Sequence, residues 1–123
     1  MAVLRLIVDD VDAALVFYQQ HLGFDLKQRM GPPFAQITRG DLEVWVSGPG
    51  TSARRPMPDG RSPEPGGWNR LVIEVTGIAE LVAKLKERGV TFRNEPLTGP
   101  GGTQVLVEDP SGNPVELFEA AGG

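Results

Sequence analysis

The chain contains the same succession of sequence patterns twice. The first half predicts a strand, a helix and three further strands between Val3 and Ser47, and the second half repeats that order between Arg70 and Glu119. Residues 48–67, which separate the halves, have few apolar side chains and several prolines, and proline lacks the N–H group that a sheet ladder needs. A unit written twice in one chain predicts a repeat architecture, so both halves are expected to fold in the same way.

Each half has one amphipathic helix whose ends can be predicted. In the first half, apolar residues recur at helical spacing from Val11 to His21. Asp10 is the expected N-cap and Gly23 is expected to end this helix in a left-handed conformation. Thr76 and Gly89 have the same roles in the second half. Because one helix covers only one face of its strands, the other face of each module must meet something else.

The segment from Thr103 to Glu119 predicts a hairpin whose second strand carries an acidic residue among apolar ones. Two β-favouring runs flank Asp-Pro-Ser-Gly-Asn-Pro, where proline presets the first torsion of a turn and glycine permits a positive φ. If Val115 and Leu117 face a core, alternation turns the residues between and after them to the opposite face. Applied to both halves, this alternation predicts an uncovered face with aromatic and charged side chains that bind a ligand: Arg5, Glu43, Trp45, Arg70, Glu116 and Phe118.

Composition excludes several classes of function. The net charge is -4 and the pI is near 4.9, so the chain has no basic field for nucleic acid or an anionic membrane. It has no cysteine, which excludes disulfides, thiolate zinc sites and a cysteine nucleophile, and which fits a reducing cytoplasm. The apolar run from Ala2 to Val8 contains Arg5 and is too short for a signal peptide or a membrane span.

Three segments resemble the vicinal oxygen chelate superfamily, which includes glyoxalase I, extradiol dioxygenases, fosfomycin-inactivating enzymes and bleomycin-binding resistance proteins. The segments are Val-Asp-Asp-Val-Asp-Ala-Ala-Leu-Val-Phe-Tyr at 8–18, with Leu-Gly-Phe at 22–24; Leu-Val-Ala-Lys-Leu-Lys-Glu-Arg-Gly-Val at 81–90; and Glu-Asp-Pro-Ser-Gly-Asn-Pro-Val-Glu-Leu at 108–117. The resemblance implies an α+β fold in which two βαβββ modules form a cupped mixed sheet around a central pocket, with helices outside. It implies one such domain over 1–123, with module one at about 1–47, a linker at about 48–67 and module two at about 68–119. It also implies a homodimer.

Metal-dependent members of this superfamily bind a divalent ion through the first and last strands of each module, and glyoxalase I uses His and Glu. The resemblance places the last-strand carboxylates at Glu43 and Glu116. The first-strand positions fall on Val3 and Arg70, and neither binds a metal, because valine has no donor atom and arginine has no lone pair. The resemblance therefore implies no metal or other cofactor; if a divalent metal is bound, Glu43 and Glu116 are its expected ligands.

Two carboxylates in one cavity repel each other unless a cation accompanies them. We expect Arg70 to form an ion pair with Glu43, Glu116 or both, with Arg5 as a second cation. A one-residue shift of register would instead turn Glu43 to solvent, and Arg5 can equally be an exposed strand residue. Trp45 and Trp68 can pack in a core or an interface instead of stacking on a ligand.

No catalytic residue is predicted. His21, the only histidine, lies at a helix end, where it can interact with free carbonyl groups, and no nucleophile-elbow motif accompanies it. The glycines from Gly99 to Gly102 lack the strand-to-helix setting and the lysine of a phosphate-binding loop. Glu108 and Asp109 are expected to serve the turn.

Three functions follow, and metal content separates the first two. The first is a metal-free protein that binds a small organic molecule, cationic or aromatic, and is similar to bleomycin-type antibiotic-sequestering resistance proteins. The alternative is a metal-dependent enzyme similar to glyoxalase or a dioxygenase, with Glu43 and Glu116 as ligands. The third is a metal-free lyase or isomerase that uses one of these glutamates as a general base. A cytoplasmic homodimer is expected in each case.

Overall fold

A computed structural model describes residues 2–122 of the chain. The chain divides into two compact units, Met1–Gly66 and Gly67–Gly123. Each contains one helix and one mixed sheet, of four strands in the first unit and five in the second, which confirms the α+β expectation.

The first unit has the predicted strand, helix and three strands. The elements are β1 (Leu4–Ile7), α1 (Val11–Leu22), β2 (Asp25–Arg29), β3 (Phe34–Arg39) and β4 (Leu42–Ser47). The strand order is β1-β4-β3-β2, and β1 runs parallel to β4 while the other pairs are antiparallel. The core contains the buried face of α1 and one face of the sheet, including Tyr18, Ile37, Val44 and Val46.

The second unit repeats this arrangement with one additional strand. The elements are β5 (Leu71–Glu74), α2 (Ile78–Glu87), β6 (Thr91–Phe92), β7 (Leu97–Gly99), β8 (Gly102–Glu108) and β9 (Pro114–Ala120). The order is β5-β9-β8-β6, with β5 parallel to β9, and β7 also pairs with β8. The duplicated pattern predicted three strands after the helix, so β7 is additional to the prediction. That short strand forms a tight hairpin with the start of β8, in which Gly99 is paired with Gly102.

The ends of α1 are as predicted. The Asp10 carboxylate accepts a hydrogen bond of 3.0 Å from the Ala13 N–H group. Gly23 ends the helix with φ 71°, in the left-handed region that favours glycine.

The start of α2 differs from the prediction. Gly77, with φ 67°, is the N-cap in place of Thr76, and it has no side chain to accept the free N–H groups of the first turn. The carboxylate of Glu119 on β9 accepts them instead, at 2.6 Å from the Gly77 N–H and 3.2 Å from the Ile78 N–H. The last strand therefore caps the helix of its own unit.

The segment after β4 is fixed to the first unit at its start. It contains a short 3₁₀ turn, Ser52–Arg54. The Gly48 N–H donates to the Pro33 carbonyl at 2.8 Å, and Arg54 donates to the Val8 carbonyl at 2.6 Å. Among residues 2–122, no helix has the length and apolar content needed to cross a membrane.

Candidate functional site

Glu43 lies on the face of the first sheet that faces away from α1, and it is nearly buried, with 8% of its surface exposed. Its two carboxylate oxygens have separate donors. Lys27 Nζ lies 2.8 Å from Oε1, and Trp45 Nε1 donates to Oε2 at 2.8 Å. The hydrogen bond from Lys27, followed by the one from Trp45, lowers the pKa of Glu43, while burial opposes this shift. The carboxylate is thus held ionised.

Lys27 was not among the predicted site residues. It lies on β2, at an irregularity in the pairing with β3 between Leu26 and Gln28. An extra residue in one strand changes which side chain reaches the neighbouring strands, and alternation alone does not reveal it. Glu43 therefore pairs with Lys27 of its own unit, whereas Arg70 pairs with Glu116.

Trp45 is held from several sides. The Arg5 guanidinium carbon lies 5.1 Å from the centroid of its ring, and Arg5 Nη1 donates to Ser47 Oγ at 3.1 Å. Phe34 meets the same ring edge-on, with centroids 6.0 Å apart. Arg5 thus acts as a cation over an aromatic ring and fixes the orientation of that ring.

In the second unit, Arg70 and Glu116 form the predicted ion pair. Arg70 Nε and Nη2 both donate to Glu116 Oε1, at 3.1 and 3.0 Å. The Glu116 side chain is 10% exposed and that of Arg70 is 30% exposed. A third guanidinium nitrogen donates to the Trp68 carbonyl at 3.3 Å.

Phe118 follows Glu116 by two residues on β9 and lies opposite Gln104 of β8. Together with the hairpin that carries Leu97, these side chains line a cavity of about 260 Å³ within the second unit. A ring and an amide at the edge of a small cavity can hold one part of an organic molecule.

The strand registers show which positions of the two units correspond. In each unit the first strand ends four residues before its helix starts, at Ile7 and at Glu74. Ile7 pairs with Ser47 on β4, and Glu74 pairs with Phe118 on β9. Ser47 and Phe118 are therefore equivalent positions.

Two residues earlier, Trp45 is the equivalent of Glu116. The assignment of Glu43 as the counterpart of Glu116 is therefore wrong by two residues, because the registers of β4 and β9 were not visible in the sequence. By this register Trp45 corresponds to Glu116, and the first-strand position Val3 corresponds to Arg70.

These residues do not fit a divalent metal. An indole N–H and a guanidinium are donors only, valine has no polar atom, and only Glu116 can give a lone pair. Among residues 2–122, no group of three or more His, Asp or Glu side chains is placed to hold an ion.

Asp109, Glu108 and Arg93 of the second unit have structural contacts. Asp109 serves the turn as predicted, and its Oδ1 accepts from the N–H groups of Ser111 and Asn113 at 2.9 Å. Glu108 does not: its Oε2 accepts from Arg93 Nε at 2.7 Å. Arg93, which sequence reasoning missed, lies with its guanidinium carbon 4.6 Å from the centroid of Trp68, a residue that is 70% exposed and thus lies outside the core.

His21 lies in the last turn of α1, as predicted, with its ring edge-on to Phe17 at a centroid distance of 5.6 Å. That aromatic contact belongs to the helix side of the unit.

Residues 1–117 match the model of one protein family, the Glyoxalase/Bleomycin resistance protein/Dioxygenase superfamily. The chain is a member of that superfamily. No curated protein sequence matches it.

Solved structures of superfamily members have the same fold. A member from Sphaerobacter thermophilus DSM 20745 is 29% identical, with a TM-score of 0.72 and 97% of each chain covered. Lactoylglutathione lyase from Agrobacterium tumefaciens is 21% identical, with a TM-score of 0.74, over 96% of this chain and 92% of that one. TnmS3, an antibiotic binding protein from Streptomyces sp. CB03234, is 23% identical, with a TM-score of 0.69, over 98% and 97%. Since the superfamily fold occurs in a lyase and in a binding protein, the fold alone does not assign the activity.

Proposed function

We propose that the protein is a metal-free small-molecule-binding protein, similar to the antibiotic-sequestering members of its superfamily. One observation carries the proposal: Arg70 occupies an expected metal-ligand position and donates twice to Glu116. A guanidinium supplies positive charge but no lone pair. It therefore neutralises the Glu116 carboxylate, and it cannot itself coordinate a metal ion.

Glu43 supports the same interpretation. Its oxygens accept from Lys27 and Trp45, so an entering metal would have to replace two hydrogen bonds of 2.8 Å. The lowered pKa also makes Glu43 a weaker base near neutral pH, which argues against a metal-free lyase or isomerase that depends on this carboxylate.

We further propose an aromatic ligand. The expected preference for a cationic ligand came from an acidic cavity, and the carboxylates of Glu43 and Glu116 each have an internal cation. Trp45 and Phe118 remain as the partly exposed aromatic rings next to these pairs. Aromatic rings favour offset or edge-to-face contact with another ring, and such contact contributes about 0.5–1.5 kcal/mol beyond its buried area.

Calorimetric titration of chelator-stripped protein with zinc, nickel, manganese and iron(II) tests the proposal. We expect no stoichiometric binding at micromolar concentration. Micromolar binding that is lost on substitution Glu116→Gln but kept in Glu80→Gln, a matched change of an exposed helix residue, would overturn it.

A thermal-shift screen of aromatic compounds tests the positive half of the proposal. We expect stabilising compounds whose effect falls in Trp45→Ala. Turnover of such a compound by the purified protein would contradict a binding function.

A cytoplasmic homodimer is part of the proposal, and light scattering measures its mass.

A further inference from the structure

Trp68 is the most exposed large apolar side chain among the described residues, at 70%. It precedes β5 by three residues, at the entrance of the second unit. The Arg93 guanidinium covers one side of the indole, with its carbon 4.6 Å from the ring centroid. This distance lies within the range of a cation–π contact, and the high exposure shows that most of the remaining ring surface is open.

Arg93 itself is fixed. Its Nε donates to Glu108 Oε2 at 2.7 Å, Nη1 to the Gly67 carbonyl at 2.8 Å, and Nη2 to the Gly112 carbonyl at 3.0 Å. Three acceptors, one for each nitrogen, define the plane of the guanidinium. Its side chain is 16% exposed. The cation beside the indole is therefore held in place before a ligand arrives, so Arg93 does not have to be ordered when a second ring stacks on the indole.

Arg93 also determines which ligand charge is favoured on the exposed side of the Trp68 indole. A cation against one side of the ring already uses the negative electrostatic potential of the π system. A second cation on the opposite side would gain less from the ring and would still be repelled by Arg93, although Glu108 offsets part of that charge, whereas a neutral or anionic aromatic group would not be repelled.

Trp68 is also connected to the proposed ligand site through its backbone. The Trp68 carbonyl accepts from Arg70, and Arg70 holds Glu116. Arg70 therefore contacts both Glu116 and the backbone of Trp68, so one side chain connects the proposed ligand site with the residue that carries the indole.

We propose that Trp68 is a stacking subsite for a planar aromatic group that is neutral or anionic, and that Arg93 and Glu108 are positioning residues for it. This inference rests on the proposed binding function and names the chemical class of its ligand.

Indole N–H signals in ¹⁵N NMR spectra test the inference, because the chain has two tryptophans. Substitutions Trp45→Phe and Trp68→Phe assign the two signals. The probes share one ring system and differ in charge: 2-naphthoate, 2-naphthol and 2-naphthylmethylammonium. We expect a saturable shift of the Trp68 signal with the first two, and binding of the ammonium that is weaker by at least about fivefold.

Two variants separate stacking from a general surface effect. Trp68→Ala should weaken 2-naphthoate binding at least about fivefold, while Val16→Ala, which shortens another exposed apolar side chain, should leave the affinity within about twofold.

Glu108→Gln keeps an acceptor for Arg93 but removes the charge that neutralises it. This substitution should increase the preference for naphthoate over the ammonium, an effect that a merely structural role would not produce.

Three results would overturn the inference. A shift confined to the Trp45 signal would reject the Trp68 subsite and leave the proposed function standing. Equal affinity for the ammonium and the carboxylate would reject the ligand class. A Trp68 signal that moves with protein concentration and not with any probe would show that a second copy of the chain covers the ring. Failure of the proposed function is recognised separately, by the metal titration.

Discussion

Removal of Arg70 should destabilise the fold through the carboxylate that it leaves behind. In Arg70→Leu, Glu116 loses two charge-assisted hydrogen bonds of 3.1 and 3.0 Å while its side chain stays only 10% exposed. Breaking a fully buried ion pair costs about 3–5 kcal/mol, whereas an exposed pair contributes about 0–1 kcal/mol. Because the guanidinium is 30% exposed, this pair lies between those limits. We expect a loss of about 2 kcal/mol in the free energy of unfolding.

The assay is urea denaturation followed by circular dichroism, with thermal unfolding as a second measurement. A loss of about 2 kcal/mol corresponds to a fall in melting temperature of about 6–10 °C for a chain of this size. The double variant Arg70→Leu/Glu116→Leu removes the stranded charge together with its partner, so it should recover most of the loss. The reasoning would be refuted if Arg70→Leu cost less than about 0.5 kcal/mol, or if the double variant were less stable than the single one.

Three further predictions concern other contacts. Lys27→Met removes the largest cause of the lowered pKa of Glu43, so wild type and variant should differ in stability at pH 7. The difference should disappear as pH falls through the Glu43 pKa of the folded wild type, which lies below 4.5, because the wild type then loses the contribution. Unfolding at several pH values measures this, and a difference that stays constant with pH would contradict it. Glu119→Ala should cost about 1 kcal/mol and reduce the helical circular dichroism signal, and Glu119→Gln should cost less because it keeps an acceptor for the first turn of α2. Gly102→Ala should cost at least about 2 kcal/mol, since its φ is 148° and a Cβ would lie 2.2 Å from the Glu119 carbonyl oxygen. A Cβ at Gly101 would meet no atom within 4 Å apart from its chain neighbours, so Gly101→Ala is the control and should change stability by less than about 0.5 kcal/mol.

Much of the fold could be predicted because its elements are locally encoded. The spacing of apolar residues located both helices, and the duplicated order of elements indicated the repeat. What failed depends on contacts between distant residues. Thr76 looked like a cap in sequence, but the chain uses Glu119, which lies 42 residues away from Gly77 and comes close only through the parallel pairing of β5 and β9.

The candidate site was predictable in its residue types and not in its pairings. Alternation placed Glu116 and Trp45 on the faces where they lie, and charge balance indicated that Arg70 would accompany an acidic partner. Lys27 could not be found this way, because its approach to Glu43 depends on an irregular register that no local pattern reveals. Arg93 was missed for a similar reason: its acceptors are a side chain and two carbonyl groups from separate segments.

The carboxylate that starts α2 lies two residues beyond the region that the family model matches, residues 1–117. Anyone who transplants this module, or trims a recombinant version to that boundary, would discard the acceptor on which the helix depends. Swapping experiments between superfamily members should therefore cut after Ala120, where β9 ends, and keep the whole last strand with the helix that it holds.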